Sequence, residues 1–368
     1  MIIRAKTKML FEGKALTDIQ QKNTDLNLKE IDEKKAILQS MPRRLVFELT
    51  NLCNLNCIMC GRNASDFKPT IFSMEWFKYF EPMFDTIEEV TLMGWGEPTM
   101  HPNFVEMLEI IDRHSARKYF CTNGMRLDKL KEDLFKYHVD VFGVSVDGAT
   151  PETNNRIRKG SDLNKIEENL TEIVKIKKER GLKYPWINFV FCAMKSNLHE
   201  LPDLVRLAAK IGIEEVKVVY LTAFDDYLAK EVLWDCNDEV KKVFDEATAI
   251  GEELGIILKL PYIQGQDVAE DKEHRDCFVA WRDFFLGSDG YIRPCMSTPR
   301  QFMKFNTDTP FEEFWNCKDY QLYRKIVNDS ISMEDTCKRC YQSSHCNWNK
   351  KLSFLQTNQN FAPEWKKD

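Results

Sequence analysis

Asn51-Leu52-Cys53-Asn54-Leu55-Asn56-Cys57-Ile58-Met59-Cys60 follows directly on the apolar run Leu45-Val46-Phe47-Glu48-Leu49. Three cysteines fall at gaps of three and then two residues, in a segment whose asparagines favour turns over helix. A loop of that composition folds around something. Thiolates so spaced can each reach a different iron of one 4Fe-4S cube, and three ligands leave the fourth iron open for chemistry. Zinc is the alternative for clustered cysteines. Zinc loops favour a two-residue gap repeated in pairs, however, and no His or fourth Cys follows nearby.

From Leu45 onward, apolar runs of strand length alternate with amphipathic segments of helix length. The runs are 44–49, 90–94, 118–122, 139–146, 186–192 and 216–221. The helical patterns lie at 74–84, 103–114, 128–137, 163–180, 199–211 and 237–254. Strict alternation predicts a parallel sheet with helices outside it, and six such units suit a partial (β/α)6 barrel of the TIM type. Sites in such barrels lie at the carboxyl ends of the strands. The cysteine loop follows the first strand, as that rule asks. Before it, residues 1–43 form a charged extension, with Glu30-Ile31-Asp32-Glu33-Lys34-Lys35-Ala36-Ile37-Leu38 as its one helix, expected to lie solvated on the surface, with capping of a barrel mouth or contact with substrate as the alternative.

In this setting Cys53, Cys57 and Cys60 resemble the Cys-x3-Cys-x2-Cys signature of the radical S-adenosylmethionine (radical SAM) superfamily. The resemblance implies the same partial barrel, a 4Fe-4S cluster whose open iron binds SAM, and reductive cleavage of SAM to a 5′-deoxyadenosyl radical. It also implies a reductase such as flavodoxin or ferredoxin as electron donor. Met59 stands where the family often has an aromatic residue, and a polarisable apolar side chain suits packing near adenine.

Three further stretches carry the resemblance. Gly94-Trp95-Gly96-Glu97-Pro98, after the second run, is similar to the family's Gly-Gly-Glu-Pro element, which implies Glu97 with backbone help from Gly96 on the SAM amino group; Gly94 stands for the other glycine. Cys121-Thr122-Asn123-Gly124 is similar to its Thr-Asn-Gly turn, although an Asn-Gly turn also arises for its backbone angles alone. Ser145 and Asp147 share one face of the fourth strand. With Arg158 they resemble the Ser-x-Asp-Gly...Arg pattern, which implies contacts to the SAM ribose or carboxylate. Arg156 is the second candidate there, and a turn role for Asp147 stays open. Met194, Asn197 and Tyr220 could contact adenine or substrate, with core packing the preferred reading.

A polar linker precedes a second cysteine group: Cys277, Cys295, the pair Cys337-Lys338-Arg339-Cys340, and Cys346. Asp289-Gly290 between apolar residues signals a hairpin that brings Cys277 and Cys295 together. Four thiolates from such a group could hold zinc or a cluster. With Phe311, Phe314 and Trp315, the arrangement resembles the SPASM and Twitch extensions of radical SAM enzymes, which bind auxiliary 4Fe-4S clusters. A full SPASM pattern continues past Cys346, where this chain has Lys350. The expectation is therefore one auxiliary cluster on Cys277, Cys295, Cys337 and Cys340, with Cys346 able to replace one of them. Cys121, Cys192, Cys236 and Cys317 are read as small hydrophobes, Cys192 and Cys236 with an alternative as hydrogen-atom donors.

Hydrophobic residues make up 43% and charged residues 30% of the 368, as in ordinary globular proteins. A net charge of -6 gives no footprint for nucleic acid or an anionic membrane. Twelve cysteines without a secretory signal or a membrane-length apolar run argue for the reducing cytoplasm. The expected organisation is 1–43, an N-terminal extension; 44–260, the barrel; 261–350, the auxiliary-cluster segment; and 351–368, a tail. The resemblance implies an enzyme that modifies a ribosomally synthesised peptide. Radical oxidation or epimerisation of a small molecule such as an aminosugar or nucleoside is the alternative, and a non-catalytic zinc-binding protein is the remote one.

Overall fold

Each of the six expected apolar runs becomes a strand. The structure, a computed structural model, describes residues 15–337 apart from 65–67, 222, 224, 225, 262, 264–276, 297, 299 and 330. The strands are β1 Arg44–Phe47, β2 Glu89–Leu92, β3 Arg117–Thr122, β4 Val141–Ser145, β5 Trp186–Ala193 and β6 Glu215–Tyr220. Three more extend the sheet: β7 Ile257–Lys259, β8 Asp283–Leu286 and β9 Ile292–Arg293. Their order is β7-β6-β5-β4-β3-β2-β1-β8-β9. All neighbours from β7 to β8 are parallel, and β9 turns back antiparallel to β8.

Helices cover the outside: α1 Asp18–Asp32, α2 Met74–Phe80, α3 Phe104–Asp112, α4 Lys131–Lys136, α5 Pro151–Ile157, α6 Leu163–Glu179, α7 Leu201–Ile211, α8 Asp226–Ala229, α9 Asn237–Leu254, α10 Val279–Arg282, α11 Phe311–Trp315 and α12 Lys318–Ile326. None of the described helices is long and apolar enough to cross a membrane. The alternation of β5 shows how the layers form. Ile187, Phe189 and Phe191 join the main core under the helices, while Trp186, Val190 and Cys192 pack in separate small clusters on the other face, which lines the barrel interior.

The extension before β1 corrects the expectation. Its helix runs over Asp18–Asp32, opened by a capping box between Thr17 and Gln20, and the chain turns away at Glu33 and Lys34 where 30–38 had been expected to be helical. Nor is it a solvated helix. Gln20, Asn23, Thr24, Asn27 and Glu30 form a buried polar stripe. Gln20 Nε2 donates to the Ile87 carbonyl at 2.7 Å, and Asn27 Nδ2 to the Trp281 carbonyl at 2.7 Å. The Glu30 carboxylate accepts from Gln39 N at 2.8 Å and Ser40 Oγ at 2.6 Å. These partners lie just before the amino-terminal ends of β1, β2 and β8, so α1 closes the base of the barrel, opposite the cysteine loop. A helix whose buried stripe hydrogen-bonds to backbone shows no apolar periodicity for sequence reading to find.

The segment after residue 260 is not detached from the barrel. β8 pairs with β1 in register from Arg44 with Asp283 to Phe47 with Leu286. The expected hairpin forms at Asp289-Gly290, with Gly290 at a φ of 81° that favours glycine. α11 packs its Phe311 and Trp315 rings 5.0 Å and 6.2 Å from Phe284 of β8, and Arg324 of α12 stacks 4.5 Å from the Trp315 ring. Sheet and core thus run through the boundary expected at 260.

At the base of this junction Asp283 pairs with Arg44 of β1 and with Arg282, whose Nη2 donates at 2.6 Å. Burial alone would push the Asp283 carboxyl up, but the Arg282 and Arg44 guanidiniums hold it down at about 2. A depressed carboxyl stabilises the fold fully above its unfolded value, near 3.8, and loses that contribution as pH falls toward 2. Asp283→Asn leaves two buried guanidiniums without their charge partner. It is expected to cost about 3–5 kcal/mol at pH 7, read from urea midpoints. The gap between wild type and variant should narrow below about pH 3.8; a gap constant down to pH 2 would show that the charge of Asp283 does not matter.

Candidate active site

The cysteine loop leaves β1 at the carboxyl end of the sheet and is tied down on three sides. Asn51 Oδ1 accepts from Thr70 N at 2.9 Å, Ile58 N donates to the Ile157 carbonyl at 2.9 Å, and Glu97 N donates to the Leu52 carbonyl at 2.8 Å. Cys53, Cys57 and Cys60 are half-buried in it. Burial pushes the Cys53 and Cys57 thiols up, Cys57 to about 11 against the opposing pull of the Arg158 guanidinium, with Glu97 beside Cys53 and Asp147 beside Cys57 adding to the rise. Three N–H donors face the sulfurs: Arg158 Nη1 lies 3.8 Å from Cys57 Sγ, while Leu55 N at 3.4 Å and Asn123 Nδ2 at 3.8 Å meet Cys53 Sγ. Among the described residues no three His, Cys, Asp or Glu side chains close around one metal ion. A cube takes one thiolate at each of three irons, so its ligands stand apart. Three half-buried thiols on one short loop, with N–H groups facing Cys53 and Cys57, fit that donor set, since a bound cation favours the thiolate form that burial disfavours.

Beside the loop, the turn after β2 is shaped by its glycines. A Cβ on Gly96 would sit 2.3 Å from the Thr50 carbonyl oxygen and 2.4 Å from that of Leu52, both in the cysteine loop. One on Gly94 would meet the Glu48 side chain at 2.2 Å. Glu97 is buried, which pushes its carboxyl up. Its Oε1 accepts from Thr99 Oγ1 and Thr122 Oγ1, each at 2.7 Å, and from Thr99 N at 3.2 Å. Its Oε2 accepts from Asn123 N at 2.8 Å, which leaves acceptor capacity for an ammonium group. Thr122 and Asn123 therefore hold Glu97 in place, and Asn123 Nδ2 also donates to Asn54 Oδ1 at 2.8 Å.

On β4, Ser145 Oγ lies 3.6 Å from Cys121 Sγ on the interior face. Asp147 is fully buried, and both its oxygens are engaged: Oδ2 by Arg158 Nε and Oδ1 by Cys192 N, each at 2.7 Å. Arg158 thus spans from Asp147 to Cys57, whereas Arg156 reaches only the Ser196 carbonyl at 3.3 Å. The packing expected of Met194, Asn197 and Tyr220 is what they do. Met194 packs with Ile157, Leu221 and Leu228, the Asn197 amide binds Met194 N and the Asp147 and Cys192 carbonyls, and Tyr220 stacks on Phe244. Met59 lies against the Met194 cluster, at the barrel mouth.

Of the second cysteine group, Cys277, Cys295 and Cys337 converge on α12. Tyr323 Oη lies 3.0 Å from Cys337 Sγ, and burial together with the Cys295, Cys337 and Cys277 thiols pushes its hydroxyl well above the ordinary range. Asn328 clips the Cys277 backbone from both sides, at 2.6 Å and 2.9 Å. Cys340 and Cys346 lie outside the described residues. Cys121, Cys192, Cys236 and Cys317 are half-buried and packed against apolar neighbours, as expected; Cys192 faces the barrel interior, and Cys236 starts α9 on its outside.

Residues 47–208 match the family model of the radical SAM superfamily, and residues 277–341 match that of SPASM, an iron-sulfur cluster-binding domain. The chain is a radical SAM enzyme with a SPASM segment. Among curated relatives, the tungsten-containing aldehyde ferredoxin oxidoreductase cofactor-modifying protein of Pyrococcus furiosus is 24% identical, over 80% of this chain and 88% of its own. The antilisterial bacteriocin subtilosin biosynthesis protein AlbA of Bacillus subtilis is 23% identical, over 82% of this chain and 67% of its own. Among solved structures, Streptococcus suis SuiB bound to S-adenosylmethionine superposes with a TM-score of 0.65 at 17% identity, covering 92% of this chain and 81% of SuiB. SuiB has also been solved with its precursor peptide SuiA.

One residue of this radical SAM site escapes the motifs. Glu48 is buried just after β1, accepting from Trp95 N at 2.8 Å with one oxygen and from Ser288 Oγ at 3.0 Å with the other. Burial pushes its carboxyl up. It stitches the glycine turn to the β8–β9 hairpin. The signal was a lone carboxylate inside the apolar run Leu45-Val46-Phe47-Glu48-Leu49.

Proposed function

We propose that this radical SAM enzyme modifies a ribosomally synthesised peptide. The observation that carries the reading is the likeness over most of the chain to AlbA, a bacteriocin biosynthesis protein, together with the fold shared with SuiB. When bound, a 4Fe-4S cluster and SAM supply a 5′-deoxyadenosyl radical that abstracts a substrate hydrogen atom. The protein's residues hold and orient. Cys53, Cys57 and Cys60 carry the first cluster; Glu97 Oε2 with the Gly96 backbone receives the SAM ammonium; Gly94 keeps the turn close to Glu48. Thr122 and Asn123 fix Glu97. Ser145 faces the interior, and Met59 offers an apolar surface to adenine. Asp147 orients Arg158. Cys277, Cys295, Cys337 and Cys340 hold one auxiliary cluster, with Cys346 able to replace one of them, and a flavodoxin or ferredoxin supplies electrons.

The second reading is a small-molecule substrate, favoured by the cofactor-modifying relative from Pyrococcus furiosus, of which this chain spans 88%. A zinc-stabilised binding protein is set aside, because the family models match the segments that hold both cysteine groups. The test is anaerobic incubation with SAM, reductant and each short peptide encoded beside the gene. Formation of 5′-deoxyadenosine that rises with one peptide, with a mass change in that peptide, is expected. Turnover stimulated only by small metabolites would transfer the assignment to the second reading.

A further inference from the structure

Arg158 and Asp147 bury more charge than a contact at the barrel mouth requires. The Asp147 side chain is wholly buried and that of Arg158 is 11% exposed, and taking such a pair out of water is expensive unless the geometry repays it. The geometry is specific. Nε is fixed by Asp147 Oδ2 at 2.7 Å, which leaves the rest of the planar fork aimed in one direction, and Nη1 meets Cys57 Sγ at 3.8 Å. Asp147 is itself fixed. Its Oδ1 accepts from Cys192 N at 2.7 Å, its own N–H donates to Asn154 Oδ1 at 2.9 Å, and its carbonyl accepts from Asn197 Nδ2 at 3.0 Å. Both carboxylate oxygens are therefore engaged inside the protein, and the wholly buried side chain presents no surface to a ribose. The chain backbone closes the same circuit from the other side: α5 ends at Ile157, whose carbonyl accepts from Ile58 N at 2.9 Å, and Lys159 accepts through its carbonyl from Asn56 N at 2.9 Å. The segment that carries Arg158 is thus bonded directly to the cysteine loop.

We propose that the Asp147–Arg158 pair sets the reduction potential of the first cluster through Cys57. Hydrogen bonds and charge near the sulfurs are among the levers that fix such potentials. A guanidinium donating to Cys57 Sγ favours the reduced cluster, which carries one more negative charge. Asp147 aims the guanidinium and partly neutralises it. Arg158 is then a positioning residue that acts through Cys57, and Asn123 is a weaker, uncharged counterpart at Cys53. This inference rests on the cluster at Cys53, Cys57 and Cys60 and not on the identity of the substrate.

The test is an EPR-monitored redox titration of reconstituted full-length protein without SAM or substrate. It follows the reduced-cluster signal that the Cys53→Ala, Cys57→Ala, Cys60→Ala triple variant lacks. If that signal is already absent in wild type, the cluster assignment itself fails, whatever the peptide experiment shows. Arg158→Gln is expected to lower the midpoint, so that at the wild-type midpoint the reduced-to-oxidised ratio falls about tenfold, the scale of one charge-assisted hydrogen bond. Arg158→Lys should recover part of the shift. Asp147→Asn removes the neutralising charge and should move the midpoint the opposite way, a sign that a purely structural role would not produce. Arg156→Gln, whose side chain only reaches the Ser196 carbonyl, should leave it unchanged. Midpoints unchanged in both Arg158→Gln and Asp147→Asn, with full iron content, would overturn the proposal. So would loss of the cluster in both, which would mark the pair as scaffold.

Discussion

Gly96→Ala is expected to strip the first cluster and abolish SAM cleavage while the rest of the protein stays folded. The new methyl would lie 2.3 Å from the Thr50 carbonyl oxygen, 2.4 Å from that of Leu52 and 2.8 Å from the Asn51 carbonyl carbon. All three are backbone atoms of the cysteine loop, so no side chain can swing aside. Either the loop or the turn must move, and the bond from Glu97 N to the Leu52 carbonyl, 2.8 Å in the native protein, goes with it. Overpacking of this kind costs about 1–3 kcal/mol, too little to unfold an ordinary domain but enough to displace a loop whose ligands need sub-ångström placement. The check is iron content beside 5′-deoxyadenosine formation, with far-UV circular dichroism as the measure of fold. Loss of about four irons, one cube, with unchanged dichroism is expected. Full iron and full turnover would show that the loop tolerates the displacement.

The larger chemical effect belongs to the triple replacement of Cys53, Cys57 and Cys60 by alanine. Removing every thiolate of the open cluster leaves no site at which SAM can be reduced, so deoxyadenosine formation should fall to background. If Cys277, Cys295, Cys337 and Cys340 hold one further cube, wild type carries about eight irons and the variant about four. Four irons in wild type and none in the variant would remove the auxiliary cluster from the proposal. The three thiols are half-buried and their side chains are small, so thermal stability of the metal-free variant should stay close to that of metal-free wild type.

Much of this was legible because each β/α unit carries its own signal. An apolar run and an amphipathic helix repeat locally, so the six strands and the helices at 163–180 and 237–254 fall within a few residues of their expected places. The Cys53, Cys57 and Cys60 loop and the Asp289-Gly290 hairpin are also local patterns. What stayed hidden depends on distant partners. β8 is four residues long, Asp-Phe-Phe-Leu, and nothing within it announces that it lies parallel to β1. α1 buries Gln20, Asn27 and Glu30 because carbonyls and amides of other segments meet them, a match that no periodicity encodes. The motif around Asp147 and Arg158 picked out two side chains that the fold brings together, but how the Asp147 oxygens are shared out depends on Cys192, far along the chain.

The pairing of β8 with β1 also bears on what a shorter version of this fold must do. With β8 gone, β1 would become the outer strand of the sheet, its N–H and C=O groups open to any other chain that offers an extended segment. The Phe80 and Phe305 rings, now stacked 5.1 Å apart across the junction, would lose their cover as well. A barrel ending after residue 260 would thus present a sticky, aromatic-rimmed seam. Any natural chain of that length has to guard it by other means, with charged residues along the strand, a proline, or a second subunit laid against it.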